Sequence, residues 1–179
     1  LATYLIVAMW PACALAAPAP AAKEQAAPQV DPAFKAKQTL AIMNLRQLGL
    51  AMFEFETDYG SFPDEETAKE VKKATGKDIN LKVETSDDCF RQLLDAEILV
   101  NDKILTLQSP GAKPKDGDPA AKPLKCVFSY CSGISSAGNP GRPLVCYPLL
   151  DGKTTFDLAP LGGRAVVLFA DNSVRSFPI

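Results

Sequence analysis

Six apolar residues between Ala33 and Tyr59 recur at steps of four, three, four, three and four: Ala41, Leu45, Leu48, Met52, Phe55 and Tyr59. That spacing places all six on one face of an α-helix. Asn44, Gln47, Glu54 and Asp58 fall largely away from the stripe. Strong helix formers fill the segment and no Pro interrupts it. At ~1.5 Å per residue the helix spans roughly 39 Å, long for a small domain. Asp31 is the expected N-cap, with Pro32 in the first turn. Gly60 suits the left-handed position that ends a helix, and Pro63 cannot continue one. Gly49 in the interior costs about 1 kcal/mol relative to Ala. Either a strand or a neighbouring backbone comes close there, or the cost is simply tolerated. A rod this long with one apolar face needs a second layer against it.

The composition narrows what that layer can serve. The chain has 179 residues, a net charge of −2 and no His. No basic stripe appears, so nucleic acid is not an expected partner. The missing His removes the commonest general base and the commonest metal ligand. Residues 1–16 read as a truncated secretory signal: Leu1 to Leu15 is apolar and uncharged, and Ala14-Leu15-Ala16 has the small-x-small form of a cleavage site. The apolar run is short for the ~20 residues a membrane span needs. Membrane contact is expected only if this segment stays uncleaved, which would anchor the protein in the envelope. Otherwise the expected location is periplasmic or extracellular. Residues 17–32 form an Ala/Pro-rich linker, and residues 33–179 the globular domain.

Of five Cys, Cys13 leaves with the signal. Cys89, Cys126, Cys131 and Cys146 remain as disulfide candidates, an even set in an exported chain. Three pairings are possible and the sequence does not choose among them. Zinc is disfavoured because there is no C-x-x-C and no His.

Downstream of the long helix, Asp64–Thr75 is a charged second helix ending at Gly76, and Ile79–Val83 is a candidate short strand. Thr85 or Ser86 caps a third helix over Asp87–Ala96, with Phe90, Leu93, Leu94 and Ile98 facing inward. Ser109–Pro123 is a Pro/Gly/Lys loop, in which Asp116-Gly117-Asp118 lacks the flanking acids of a calcium loop. The last third alternates as antiparallel strands: Lys125–Cys131, Arg142–Leu150 (an edge, from Pro143 and Pro148), Arg164–Ala170 and Ser173–Phe177. Asp171-Asn172 marks a hairpin between the last two. Gly162-Gly163 precedes a strand, not a helix, and so is a sharp turn and no phosphate cradle. Gly133-Ile134-Ser135-Ser136-Ala137-Gly138 approaches a nucleophile elbow but has Ala137 at the final Gly position, and no His stands by as base. No catalytic residue, cofactor site or metal site is expected.

Three stretches in this order carry a resemblance. Asn44-Leu45-Arg46-Gln47-Leu48-Gly49-Leu50-Ala51, followed by Asp58-Tyr59-Gly60-Ser61-Phe62-Pro63, resembles a signature of type II secretion pseudopilins and of related type IV pilin-like proteins of planctomycetes and verrucomicrobia. Gly163 to Val174 resembles their C-terminal hairpin. Asp87 to Leu94, with Asn139 to Leu144, is similar to the verrucomicrobial type. The resemblance implies an α+β, pilin-like fold, with a long N-terminal α-helix packed on a C-terminal antiparallel β-sheet. It implies a non-enzymatic role in a secretion or pilus-like system, with other pseudopilins or secretion components as protein partners. The N-terminus departs from the family: no Glu lies in the apolar segment to meet a neighbour's amine. A soluble, disulfide-stapled binding module that does not polymerise is the alternative.

Overall fold

The computed structural model describes residues 31–107 and 126–179. The signal, nearly all of the Ala/Pro linker, Cys13 and the Asp116–Asp118 pair lie outside the described residues. The chain is α+β: helices α1 (Pro32–Tyr59), α2 (Glu65–Thr75) and α3 (Ser86–Asp95) precede strands β1 (Ser129–Tyr130), β2 (Pro143–Tyr147), β3 (Arg164–Phe169) and β4 (Val174–Pro178). A 3-10 turn at Asp102–Leu105 follows α3. The strands form one antiparallel sheet in the order β1-β2-β3-β4.

The ends of α1 follow from its capping chemistry. The Asp31 carboxylate accepts from Ala33 N–H at 2.8 Å, and Pro32 occupies the first turn. Gly60 ends the helix at φ 85°, its N–H donating to Glu56 carbonyl. Ala41, Leu45, Leu48, Met52 and Phe55 are fully buried. They share one core with Phe90 and Leu93 of α3, Phe128, Leu144 of β2, and Val166 and Leu168 of β3. Tyr59 closes the stripe half-buried, its ring 4.6 Å from that of Phe55.

Asn44 departs from its expected place. It is buried, and its amide donates to Thr106 carbonyl at 2.9 Å. A polar residue is tolerated beside the stripe because the loop after the 3-10 turn supplies that acceptor.

Gly49 is where the sheet comes closest. A Cβ there would overlap the Asn172 side-chain oxygen and lie 3.0 Å from a Leu168 methyl. Asn172 sits in the β3–β4 turn at φ 62°. The helix therefore gives up a favourable residue at the point where the hairpin turn presses on it.

Three strand expectations are corrected. The strand expected over Lys125–Cys131 shrinks to Ser129–Tyr130 because its amides are taken elsewhere. Cys126 N–H donates to the Asp87 carboxylate, Val127 N–H to Leu105 carbonyl, and Phe128 N–H to Cys126 Sγ. Ile79–Val83 is irregular: Ile79 is buried, but among the described residues no strand pairs with it. β2 is an inner strand, not an edge. Its proline Pro143 stands beyond the short ladder with β1, so no β1 carbonyl waits for the missing N–H. The third helix has Thr85 as its cap; Leu94 and Ile98 are only partly buried, while Gln92 is fully buried.

Gln92 joins α3 to the start of α2. Its amide donates to Asp64 carbonyl at 2.9 Å and its oxygen accepts from Thr67 hydroxyl at 2.8 Å. Both ends of the buried amide are thus used at the corner between the two helices.

The close approach at Gly49 makes a prediction. On propensity alone Gly49→Ala would stabilise by about 1 kcal/mol. We expect it instead to destabilise by about 1 kcal/mol, because overpacking a tight contact costs about 1–3 kcal/mol. Asn172→Gly removes the obstructing side chain at a position whose φ favours Gly, so the double variant should recover most of the loss. Urea denaturation of the four proteins in this cycle measures the coupling; additive effects would overturn the account.

Candidate functional site

The surface offers three places where chemistry or binding could be concentrated. The first is the outer face of α1. Met43 and Leu50, seven residues apart, are 53% and 65% exposed. Ala36, a further seven residues back, is exposed too. A seven-residue step is nearly two helical turns, so the three lie in one line opposite the buried stripe. Pro32, Lys35, Ala36, Thr39, Leu40 and Met43 line a shallow groove beside it. The core stripe was legible from its period, whereas this second line was not singled out. Its signal was Met43 and Leu50, apolar residues with no place in the four-three pattern.

The second place is a cleft of about 360 Å³ between the starts of α2 and α3 and the end of β1. Asp64 and Glu65 form one side, Thr85, Ser86 and Cys89 another, and Tyr130 and Ser132 the third. Two helix N-termini border it, and each is already capped by side chains of its own. Asp64 accepts from Thr67 N–H and Thr85 accepts from Asp88 N–H, each within a reciprocal capping box. Ser86 Oγ accepts from Tyr130 N–H at 2.9 Å and so ties β1 to α3. Burial, aided by the charges of Asp88 and Asp64, pushes the Cys89 thiol up to about 12. It is therefore a neutral thiol near pH 7 and a poor nucleophile. Burial likewise raises the Tyr130 phenol, with the charges of Asp64 and Glu56 acting in the same direction.

The third place is the set of cysteines. All four candidates are free thiols in this structure. Cys126 lies apart from the β1–β2 pair, its sulfur accepting from Phe128 N–H at 3.3 Å, and burial pushes its thiol up to about 12. Cys131, just past the end of β1, and Cys146 of β2 are diagonal neighbours. The adjacent Cys146 thiol is the main cause that lowers Cys131; burial opposes it, and the Arg142 guanidinium assists. The adjacent Cys131, with burial, raises Cys146.

Among the described residues no group of three or more His, Cys, Asp or Glu is placed to hold a metal ion. Ser135 of the elbow-like stretch lies in a tight turn, where its hydroxyl accepts from Ala137 N–H at 3.2 Å. Ser136 N–H donates to the Glu56 carboxylate at 3.2 Å. Among the described residues no helix is long and apolar enough to cross a membrane. Comparison with family models, curated proteins and solved structures gives no match for this chain.

The acidic pair at the start of α3 yields a pH prediction. Burial alone would raise Asp88, but hydrogen bonds from Thr85 hydroxyl and amide, Asn80 amide and Glu84 amide outweigh it and hold the carboxyl below its usual range. Asp87 moves the other way, raised chiefly by burial despite the Cys126 N–H bond. A depressed carboxyl stabilises the fold above its unfolded pKa of about 3.9 and loses that contribution as pH falls through the folded value. Asp88→Ala removes the N3 half of the capping box and should therefore cost about 1 kcal/mol at pH 7, within the range of a lost capping bond. The difference from the parent should shrink as pH falls from about 3.9 through the lower folded pKa of Asp88. Thermal melts of both proteins at pH 7, 5 and 3 check this.

Proposed function

We propose that this chain is a non-enzymatic, exported subunit of a type II secretion or pilus-like assembly in the cell envelope, and that it engages pilin-like partners through α1. The observation that carries this reading is the division of α1 into two faces. One is buried against the antiparallel sheet, and the other presents Ala36, Met43 and Leu50 in line to solvent. Helix-on-helix association uses apolar residues repeating at seven, as these do. Two features of the sequence add support: the pilin-like signature over Asn44–Pro63 and the hairpin-like stretch over Gly163–Val174. The absence of His and the neutral thiol in the cleft fit a role in packing better than one in catalysis.

The test is cross-linking in cells followed by fractionation, with the Met43→Asp/Leu50→Asp double variant alongside the parent. The parent should be recovered from the envelope cross-linked to secretion components. The double variant should lose about tenfold of that product while its melting temperature stays within the few degrees expected of exposed substitutions. An intact parent confined to the cytosol overturns the reading. A parent recovered outside the cytosol as a monomer with no partner replaces it with a soluble exported binding module.

A further inference from the structure

We propose that Cys131 and Cys146 are a reversible dithiol pair that closes into a disulfide and clamps the β1 edge of the sheet, while Cys89 and Cys126 remain thiols. This pairing goes beyond the assembly role and does not depend on it.

The geometry starts from register. Ser129 stands opposite Cys146 and Tyr130 opposite Val145, and Cys131 N–H continues the ladder to Leu144 carbonyl at 2.9 Å. Side chains alternate along a strand, so Cys131 shares a face with Ser129 and hence with Cys146. The two thiols are diagonal neighbours on adjacent strands, a placement that sets residues roughly 7–8 Å apart in a regular ladder. A disulfide needs a Cβ–Cβ separation of about 3.5–4.5 Å. Cys131 lies just past the end of a two-residue edge strand, the part of the sheet whose backbone is best able to close the remaining gap.

The chemistry is asymmetric in a useful way. Cys131 is half-buried and flanked by Arg142, so it is the thiol that attacks. The co-reactant is a small-molecule disulfide such as oxidised glutathione. The Cys131 thiolate attacks one of its sulfurs, a mixed disulfide forms, and one thiolate leaves. Cys131 then carries no negative charge, which removes one of the causes that keep Cys146 protonated. Cys146 loses its proton to solvent and attacks Cys131 Sγ, expelling the second thiolate. Two thiols are oxidised and one external disulfide is reduced to two thiols.

Closure would add a covalent bond between β1 and β2 to the short ladder that joins them and to the Ser86 bond that ties β1 to α3. Tyr130 and Ser132, which flank Cys131, form one wall of the cleft between α2 and α3. The redox state of the pair therefore sets how firmly that wall is held.

The experiment uses the full chain equilibrated at pH 7 in glutathione buffers from fully reducing to oxidising, then alkylated, digested and mapped by mass spectrometry. The expected result is a Cys131–Cys146 linked peptide that appears toward the oxidising end and disappears with dithiothreitol. In the reduced protein Cys131 should alkylate at least about tenfold faster than Cys89. Cys146→Ser should trap glutathione on Cys131, because no second thiol is present to displace it. A link from Cys131 or Cys146 to Cys13, Cys89 or Cys126, or full alkylation of both thiols at the oxidising end, overturns the proposal. A Cys146→Ser variant that takes up no glutathione at Cys131 does so as well.

Discussion

Burial of one face of α1 against β3, β4 and the turn after α3 is the constraint under which the remaining elements are arranged. Leu45, Leu48, Met52 and Phe55 are each removed from water completely, and each such side chain contributes roughly 1.5–3 kcal/mol. That contribution exists only while the opposing layer is present, since an isolated helix buries nothing. β3 answers it with four consecutive buried residues, Ala165 to Leu168, so both of its faces are covered. The position of β3 then fixes the hairpin to β4. The hairpin turn in its turn sets how near Asn172 comes to Gly49. A single glycine is thus explained by a chain of contacts that begins with the helix's own apolar period.

What could be read from the residues divides along a physical line. Structure set by local rules was legible: the α1 stripe, the Asp31 and Gly60 ends, the Gly76 end of α2, the capped start of α3, the turn at Asp171-Asn172 and the sharp turn at Gly162-Gly163, with Asn172 and both glycines at positive φ. Structure set by distant partners was not. Cys126 to Cys131 alternates as a strand should, yet most of it is held by the Asp87 carboxylate and Leu105 carbonyl, which no local pattern reveals. Asn44 was placed away from the core because its side chain is polar; the Thr106 carbonyl that makes its burial acceptable is sixty-two residues away. Of the candidate site residues, the helix face was recovered from its period. The four cysteines were recognised as a set, but their neighbours depend on strand register, which spacing does not encode.

The donors diverted from β1 also shape the surface. A strand that keeps only two ladder residues leaves its end to be anchored by side chains, here Ser86 against Tyr130 and Asp87 against Cys126. Both anchors sit in the first turn of α3, where Asp87 adds negative charge at the positive end of the helix. The cleft is the gap left between these anchors and the start of α2. Its walls are therefore held by hydrogen bonds to exposed or half-buried groups, whereas the Gln92 amide that bonds to Asp64 carbonyl is satisfied in the interior. A lightly held wall is a place where one added covalent bond changes more than it would in the core.

The outer line of α1 needs an explanation of a different kind. Single exposed apolar side chains are ordinary on protein surfaces and call for none. Met43 and Leu50 differ because they recur at the step that keeps residues aligned along a helix, and because Ala36 and the partly buried Leu40 extend the strip toward the N-terminal end. Neither Met43 nor Leu50 contributes to the core, so folding stability gives no reason for either to be apolar. Charged Arg46, also exposed, borders the strip on one side, and exposed Glu54 stands at its C-terminal end. An apolar line bordered by charge on a rigid helix is what a second helix needs in order to pack in one register. This is the physical ground on which the proposed assembly role rests, independent of any likeness between sequences.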